Sequence, residues 1–109
     1  RIIAIFEPHT FSWRNRGALK WYKDVFDGVS EVVLLPPPAH GKDSHDQLTF
    51  DEIYTEIKKY VSTRKAKTEK EALKIIKEIT KKDDVIVLVS SGSLLGLTKS
   101  VPKLIERLF

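Results

Sequence analysis

The chain has 109 residues, 41% of them hydrophobic, which is typical of one globular domain. Its 19 Lys and Arg exceed its 15 Asp and Glu, so the net charge of +4 favours anionic partners, although the lysines alternate with acidic residues as on a solvated face. The absence of cysteine excludes disulfides and thiolate metal sites and agrees with a reducing compartment. No apolar run approaches the roughly 20 residues that span a bilayer, so we expect a cytoplasmic location and no membrane insertion.

Apolar runs that end at proline or glycine predict the first strands and the helix between them. Ile2–Phe6 is followed by Glu7-Pro8, and Glu31–Leu35 is followed by three prolines. The first run is apolar throughout, as is a parallel strand that is covered on both faces, whereas the second run begins with Glu31. The segment Gly17–Phe26 predicts a helix that ends at Asp27-Gly28. Its buried side is expected to contain Leu19, Tyr22, Val25 and Phe26.

The second half of the chain predicts two amphipathic helices and a short edge strand. A polar loop over 39–48 precedes a helix that is capped by Thr49 or Asp51. Its inward residues are expected to be Phe50, Ile53, Ile57 and Val61. A Lys-rich edge strand is expected near Arg64–Lys67. The pattern Thr68-x-x-Glu71 predicts a capping box. The helix that it opens should bury Ala72, Leu73, Ile76 and Ile79.

The last third predicts a strand and a final helix, which together define the architecture. Asp84–Val89 is the clearest strand of the chain, and a helix with Pro102 near its first turn extends to Phe109. Strands that alternate with helices predict a three-layer, Rossmann-like α/β fold, with a mostly parallel sheet and helices on both faces. The last strand is parallel to the others only if the edge strand near Arg64 exists.

Three unusual loops follow predicted strands, at 7–16, 36–47 and 90–95. Ligands of open parallel sheets bind beyond the carboxyl ends of the strands, so these loops should converge on one site. In the first loop, His9, Arg14 and Arg16 precede a helix, and the two arginines suit a carboxylate or phosphate. The alternative is that Phe11 and Trp13 anchor this loop while the arginines are solvated.

The other two loops predict weaker sites. The turn Ser90–Ser93 could bind an anion through its backbone amides and hydroxyl groups, but it lacks the pattern of a P-loop. A simple turn with a flexible glycine is the alternative. The second loop contains two histidines and two aspartates, for which we expect solvent or substrate contact rather than a metal. These residues are His40, Asp43, His45 and Asp46. No catalytic set is recognisable.

Two motifs resemble the Mur ligase family. The stretch Phe6-Glu7-Pro8-His9, followed by a serine and an arginine, resembles the start of the Mur ligase C-terminal domain. UDP-N-acetylmuramate–alanine ligases carry phenylalanine-glutamine-proline-histidine-arginine-tyrosine-serine-arginine there. This chain has Glu7 for the glutamine, Thr10 and Trp13 for the two arginines, and Phe11 for the tyrosine. The Phe-Glu-Pro form and Ser91-Gly92-Ser93-x-x-Gly96-Leu97 are more similar to the muropeptide-recycling ligase, which attaches a ready-made tripeptide.

The resemblance implies a three-domain, ATP-dependent amide ligase of peptidoglycan synthesis. Its first domain would bind UDP-N-acetylmuramate, and its central domain would hold ATP and Mg²⁺ and convert the substrate carboxylate into an acyl phosphate. An amino acid or peptide would then attack, positioned by the C-terminal domain. The resemblance implies substrate contacts by His9, Thr10, Arg14, Arg16, Ser91 and Gly92, with no catalytic residue and no metal ligand among them. Because Thr10 and Trp13 replace the two arginines of the alanine ligases, the resemblance does not decide whether L-alanine is the amine substrate.

The same resemblance leads us to expect a piece of a longer protein. The chain starts at Arg1 inside an apolar run, and the alanine ligase domain begins earlier, with a helix and a histidine-rich segment. Residues 1–109 would then be one domain, truncated on its N-terminal side and inactive alone.

Two other classes of protein remain as alternatives. A stand-alone flavodoxin-like module that binds an anion or nucleotide has a suitable strand order, whereas a receiver domain should have an acidic cluster where this chain has only Glu7. A nucleic-acid-binding domain should carry a basic face with interleaved aromatics. Here the lysines stand among acidic neighbours, so we expect no nucleic-acid partner.

Overall fold

Four parallel strands form the sheet in this computed structural model, which describes residues 1–9, 11–38, 47–90 and 92–109, with only the backbone of Phe11 and Ser12. The strands are β1 (Ile2–Phe6), β2 (Glu31–Leu34), β3 (Ser62–Lys65) and β4 (Val85–Val89), in the order β3-β2-β1-β4. Every pairing is parallel. The predicted α/β class is therefore confirmed, and the expected edge strand exists, two residues earlier than its predicted position.

Helices lie on both faces of this sheet. They are α1 (Phe11–Arg14), a 3₁₀ helix (Arg16–Trp21), α2 (Tyr22–Val25), α3 (Phe50–Lys58), α4 (Glu69–Ile79), a second, short 3₁₀ helix (Leu94–Gly96) and α5 (Leu97–Leu108). Successive side chains of a strand point to opposite faces, so the two central strands contribute to two cores. Ile3, Ile5 and Val33 pack with α4 and α5, while Ala4, Phe6 and Val32 pack with α2 and α3.

The segment predicted as one helix over 17–26 is a 3₁₀ helix followed by one turn of α-helix. Tyr22 and Phe26 are buried as expected, and Ala18 joins them in the core. The prediction that Val25 is buried is wrong, because 43% of this residue is exposed. Val25 faces an apolar groove beside β4 that no described helix covers.

Both predicted helix caps form, with one difference. Thr49 accepts a hydrogen bond from the Glu52 amide, and the Glu52 carboxylate accepts one from the Thr49 amide, which makes a complete capping box. Thr68 likewise accepts from the amide of Glu71, at 3.1 Å. The Glu71 carboxylate, however, accepts from the amide of Lys67, one residue before the cap. The Glu71 carboxylate therefore binds the backbone just before the cap residue and not the amide of Thr68 itself.

The outer strand β4 has one face that the described elements leave uncovered. Val85, Val87 and Val89 on this face are 56%, 41% and 37% exposed. Val87 and Val89, together with Val25 and Val29, line part of a groove of about 210 Å³. Parallel strands are normally covered on both faces, which makes this apolar strip unusual. Within the described ranges, no helix has the length and hydrophobicity needed to cross a membrane.

Candidate functional site

The candidate site lies at the carboxyl ends of the two neighbouring strands β1 and β4. Phe6 pairs with Val89 at the last position of the ladder, and the Glu7 amide donates to the Val89 carbonyl at 3.0 Å. The chain therefore leaves both strands side by side. A cavity of about 380 Å³ opens at this point. Its lining consists of Phe6, Glu7, His9, Trp13, Leu88, Val89 and Ser90.

A buried carboxylate joins the loop after β1 to the loop after β4. Glu7 is only 7% exposed, and its Oε1 accepts a hydrogen bond from the Ser90 hydroxyl at 2.7 Å. Ser90 Oγ in turn accepts from the Gly92 amide at 2.9 Å, and the Leu94 amide approaches Glu7 Oε1 at 3.4 Å. Sequence reasoning placed Glu7 and Ser90 in loops of the site but named neither among the substrate contacts. The available signal was an acidic residue directly after a wholly apolar strand.

Two residues that were predicted for the site, His9 and Gly92, lie against each other. A Cβ atom on Gly92 would stand 2.5 Å from His9 Cδ2 and 2.7 Å from Glu7 Oε1. These distances are too short for any real side chain, so the close approach requires glycine. His9 is partly buried and lines the cavity. The histidine ring is therefore placed at the cavity with a backbone segment packed on it.

Arg14 connects the loops after β1 and β2. The residue is 7% exposed, and its Nε donates to the His9 carbonyl at 2.9 Å. Its Nη1 donates to Gln47 Oε1 at 2.8 Å and approaches the Pro38 carbonyl at 3.4 Å. These partners are neutral oxygen atoms of the chain itself. The predicted convergence of the loops thus involves Arg14 as a buried connection between them.

Arg16 has a different position from the other predicted residues. Its guanidinium is exposed and forms an ion pair with Glu52 on α3, with Nη1 2.7 Å from Oε2. Hydrogen bonding by Arg16, and then by the Thr49 amide, lowers the pKa of the Glu52 carboxyl below its ordinary value. Arg16 does not line the cavity that contains His9.

Trp13 anchors the first loop, as the alternative expected, but Arg14, which that alternative expected to be solvated, is buried. Its ring packs edge-on against Phe6 and at a tilt against Tyr22, with centroid distances of 6.0 and 5.4 Å. The Tyr22 hydroxyl donates to the Trp13 carbonyl at 2.7 Å, and burial raises the pKa of Tyr22 above its usual range. The loop is therefore fixed to the second core by an aromatic cluster.

Several predicted residues lie outside the part of the chain that the structure describes. They are Thr10, Ser91, His40, Asp43, His45 and Asp46. Across 1–9, 11–38, 47–90 and 92–109, no three His, Asp or Glu residues are grouped in a way that could hold a metal ion. In the turn after β4, the amides of Gly92 and Leu94 point to Ser90 and Glu7. An anion at the Leu94 amide would have to displace the Glu7 carboxylate.

The chain is similar to curated UDP-N-acetylmuramate–L-alanine ligases of three bacteria. It is 27% identical to that of Fusobacterium nucleatum over 108 residues, which are 97% of this chain and 22% of the relative. For Clostridium kluyveri the values are 31% over 93 residues, 84% of this chain and 20% of the relative. For Desulfosudis oleivorans they are 24% over 103 residues, 93% and 22%. The chain thus spans about a fifth of these relatives. No protein-family model matches it.

Proposed function

Since the chain matches a segment of these ligases that is consistent with a Mur ligase C-terminal domain, we propose that it positions the amine substrate in an ATP-dependent amide ligase. The ligase would join an amino acid or peptide to UDP-N-acetylmuramate in cytoplasmic peptidoglycan synthesis and cell wall biogenesis. The observation that carries this proposal is similarity along nearly the whole chain to enzymes of that name. The cavity at the ends of β1 and β4 supports it, because ligands of open parallel sheets bind at that edge.

In this proposal the domain contributes orientation and exclusion of water rather than a reacting group. His9 would contact the amine-bearing substrate at the cavity. Gly92 would allow the loop after β4 to pack closely beside His9 and the substrate. Thr10 and Ser91 would be neighbours of the same substrate. Arg16 would provide an exposed cation for a carboxylate, once released from Glu52.

ATP and Mg²⁺ would be held mainly by the central domain of the same protein. ATP would supply the phosphoryl group that activates the carboxylate of UDP-N-acetylmuramate. The described residues do not fit this nucleotide, because the amides after β4 are directed at the Glu7 carboxylate and at Ser90. Negative charge at Glu7 is unfavourable for a phosphate at this turn. We therefore expect no ligation by the isolated domain.

The site assignment is tested by kinetics of the whole enzyme. Arg16→Ala should raise the KM for the amine substrate much more than the KM for ATP because a direct contact is lost. Arg14→Ala should do the same because the loop that carries His9 loses its connection to Gln47. Loss of one charge-assisted contact costs roughly 1.5–3 kcal/mol, or about a 10- to 150-fold loss in kcat/KM. Normal kinetics in both variants would place the substrate elsewhere. Turnover by the isolated domain, proportional to its concentration, would contradict the assignment of ATP and Mg²⁺ to a separate central domain.

The amine itself is tested by comparing kcat/KM for L-alanine, other amino acids and a tripeptide. We expect poor discrimination in favour of L-alanine, because Thr10 and Trp13 stand where the resembling alanine ligases have arginines. Thr10→Arg should improve the use of L-alanine, since a guanidinium binds a small carboxylate through two bonds. Trp13→Arg is a poorer test because the Trp13 ring packs on Phe6 and Tyr22. Strong preference of the unmodified enzyme for L-alanine would refute this part.

The proposal extends to the uncovered face of β4. We propose that in the whole protein another segment of the same polypeptide covers Val85, Val87 and Val89. Two observations support this segment as the occupant. The three valines continue the second core at its open side, and the relatives are between four and five times as long as the matched region. Residues 1–109 would then form most of one domain rather than all of it.

A further inference from the structure

The segment after β4 contains consecutive residues with a left-handed backbone. The φ angles of Leu94, Leu95 and Gly96 are 54°, 56° and 88°. Left-handed conformation is unfavourable for leucine because its Cβ lies too close to the carbonyl oxygen. Such residues persist only where surrounding contacts hold them. Contacts with the rest of the protein must therefore hold this turn, which borders the candidate site.

The contacts converge on the Glu7 carboxylate. Its Oε1 accepts the Ser90 hydroxyl and lies 3.4 Å from the amide of Leu94, the first left-handed residue. Between these two positions, Gly92 passes so close to Glu7 Oε1 that a Cβ atom would lie 2.7 Å away. One oxygen atom of a buried side chain thus accepts hydrogen bonds from Ser90 and from Leu94, on either side of the glycine that packs on His9.

We propose that Glu7 is the positioning residue of this site. Its carboxylate holds Leu94–Gly96 in the left-handed path and thereby fixes Gly92 against the His9 ring. Glu7 itself does not contact the reacting atoms, and it acts through the loop that it holds. The effect on substrate use rests on the ligase function proposed above, whereas the effect on the loop does not.

The proposal assigns a chemical requirement to position 7. The side chain must accept hydrogen bonds from one hydroxyl and one amide at the end of β1. A glutamine can do this with its amide oxygen. A methionine of similar length fills the space but gives the two donors only a weak acceptor. Glu7→Gln and Glu7→Met therefore form a matched pair that separates hydrogen bonding from packing.

The first test is amide hydrogen exchange in the whole protein, followed by mass spectrometry of peptides that cover 90–96. We expect Glu7→Met to accelerate exchange of this segment about 10- to 100-fold, and Glu7→Gln to stay within about threefold of the unmodified protein. Ser90→Ala should accelerate exchange of the same peptides, which provides a second variant if Glu7→Met does not fold. Glu78→Met is the control, because Glu78 pairs with Arg64 on the surface far along α4. Unchanged exchange in both Glu7→Met and Ser90→Ala overturns the proposal.

The second test is the steady-state kinetics of the same variants, with a mixture of amino acids and a tripeptide as amine probes. Glu7→Met should lower kcat/KM for the amine at least about tenfold with the KM for ATP unchanged, and Glu7→Gln should restore it. A destabilised but otherwise normal enzyme would instead lose all parameters together. If Glu7→Met changes exchange while no variant and no unmodified enzyme ligates any probe, the ligase function fails and the role of Glu7 in the loop stands. If ligation is normal in Glu7→Met, the positioning role fails and the ligase function stands.

Discussion

Replacing Arg14 by alanine tests whether this residue is primarily a buried connection between loops. The guanidinium makes two short hydrogen bonds, of 2.9 Å to the His9 carbonyl and 2.8 Å to Gln47, and a long one to Pro38. Hydrogen bonds from a charged donor contribute about 1.5–3 kcal/mol each, and part-buried acceptors can regain some of this from water. Counting only the two short bonds at the lower value, we expect the free energy of unfolding to fall by about 3 kcal/mol.

The matched control is Arg16→Ala, which removes the same side chain two positions later. Arg16 is exposed and paired with Glu52, and exposed ion pairs contribute about 0–1 kcal/mol. Arg14→Lys gives a third point. It keeps the charge but replaces the planar fork by a single ammonium, so it cannot reach His9 and Gln47 with the same geometry. Its stability should lie between those of Arg14→Ala and the unmodified chain.

The assay is urea denaturation of the 109-residue chain, monitored by tryptophan fluorescence and circular dichroism. The expected order of stability is unmodified chain, Arg16→Ala, Arg14→Lys and Arg14→Ala. A loss of about 3 kcal/mol corresponds to a fall of roughly 15 °C in Tm for a domain of this size. If Arg14→Ala and Arg16→Ala both change stability by less than 1 kcal/mol, the three contacts do not stabilise the loops and Arg14 is available to a ligand instead.

Three further predictions follow from single contacts. Tyr22→Phe removes a buried hydroxyl that donates to a carbonyl of α1, so the free energy of unfolding should fall by about 1 kcal/mol. Tyr60→Phe, at an exposed position two residues after the end of α3, should change nothing measurable. Val87→Thr should change the stability of the 109-residue chain by less than about 0.5 kcal/mol but should destabilise the whole protein by more than about 1 kcal/mol if its face is covered there. Arg16→Ala should raise the pKa of Glu52 toward its ordinary value in an NMR titration. Because the pKa of Glu52 is lowered by folding, its stabilising effect exists above its unfolded pKa and is lost as pH falls through its folded pKa, so acid should destabilise the Arg16→Ala chain less steeply.

Much of the fold was predictable because the local signals agree with one another. The β-branched runs at Ile2–Phe6 and Val85–Val89 have no competing helical period, and Thr49 with Glu52 is a complete capping signal. The bounds of β3 were harder, since this short strand carries an arginine and a lysine and has only one buried residue, Thr63. The exposure of Val25 could not be predicted, because it depends on the uncovered face of β4, and the sequence does not show which strand face the helices leave uncovered.

The place of the site was predictable, but its internal contacts were not. Parallel topology alone brings the loops after β1, β2 and β4 to one edge. The role of Arg14 depends on carbonyl and amide oxygens 24 and 33 residues away, and any backbone carbonyl looks the same in a sequence. The same limit applied to Glu7, whose partner Ser90 is 83 residues distant. An arginine or a glutamate near a site looks like a ligand group until its acceptors and donors are known.

Glu7 and Arg14 together explain how a single histidine can be held at the end of a sheet. They stand on either side of His9 in the sequence, carry opposite charges, and are both more than nine-tenths buried. Glu7 binds the loop after β4, while Arg14 binds the His9 carbonyl and the loop after β2. Each charged side chain therefore connects the loop after β1, which contains His9, to a different loop. A ligand in the cavity would meet a histidine whose backbone is held from both sides. Such an arrangement suits a domain that contributes orientation, because less ordering is needed when the substrate binds.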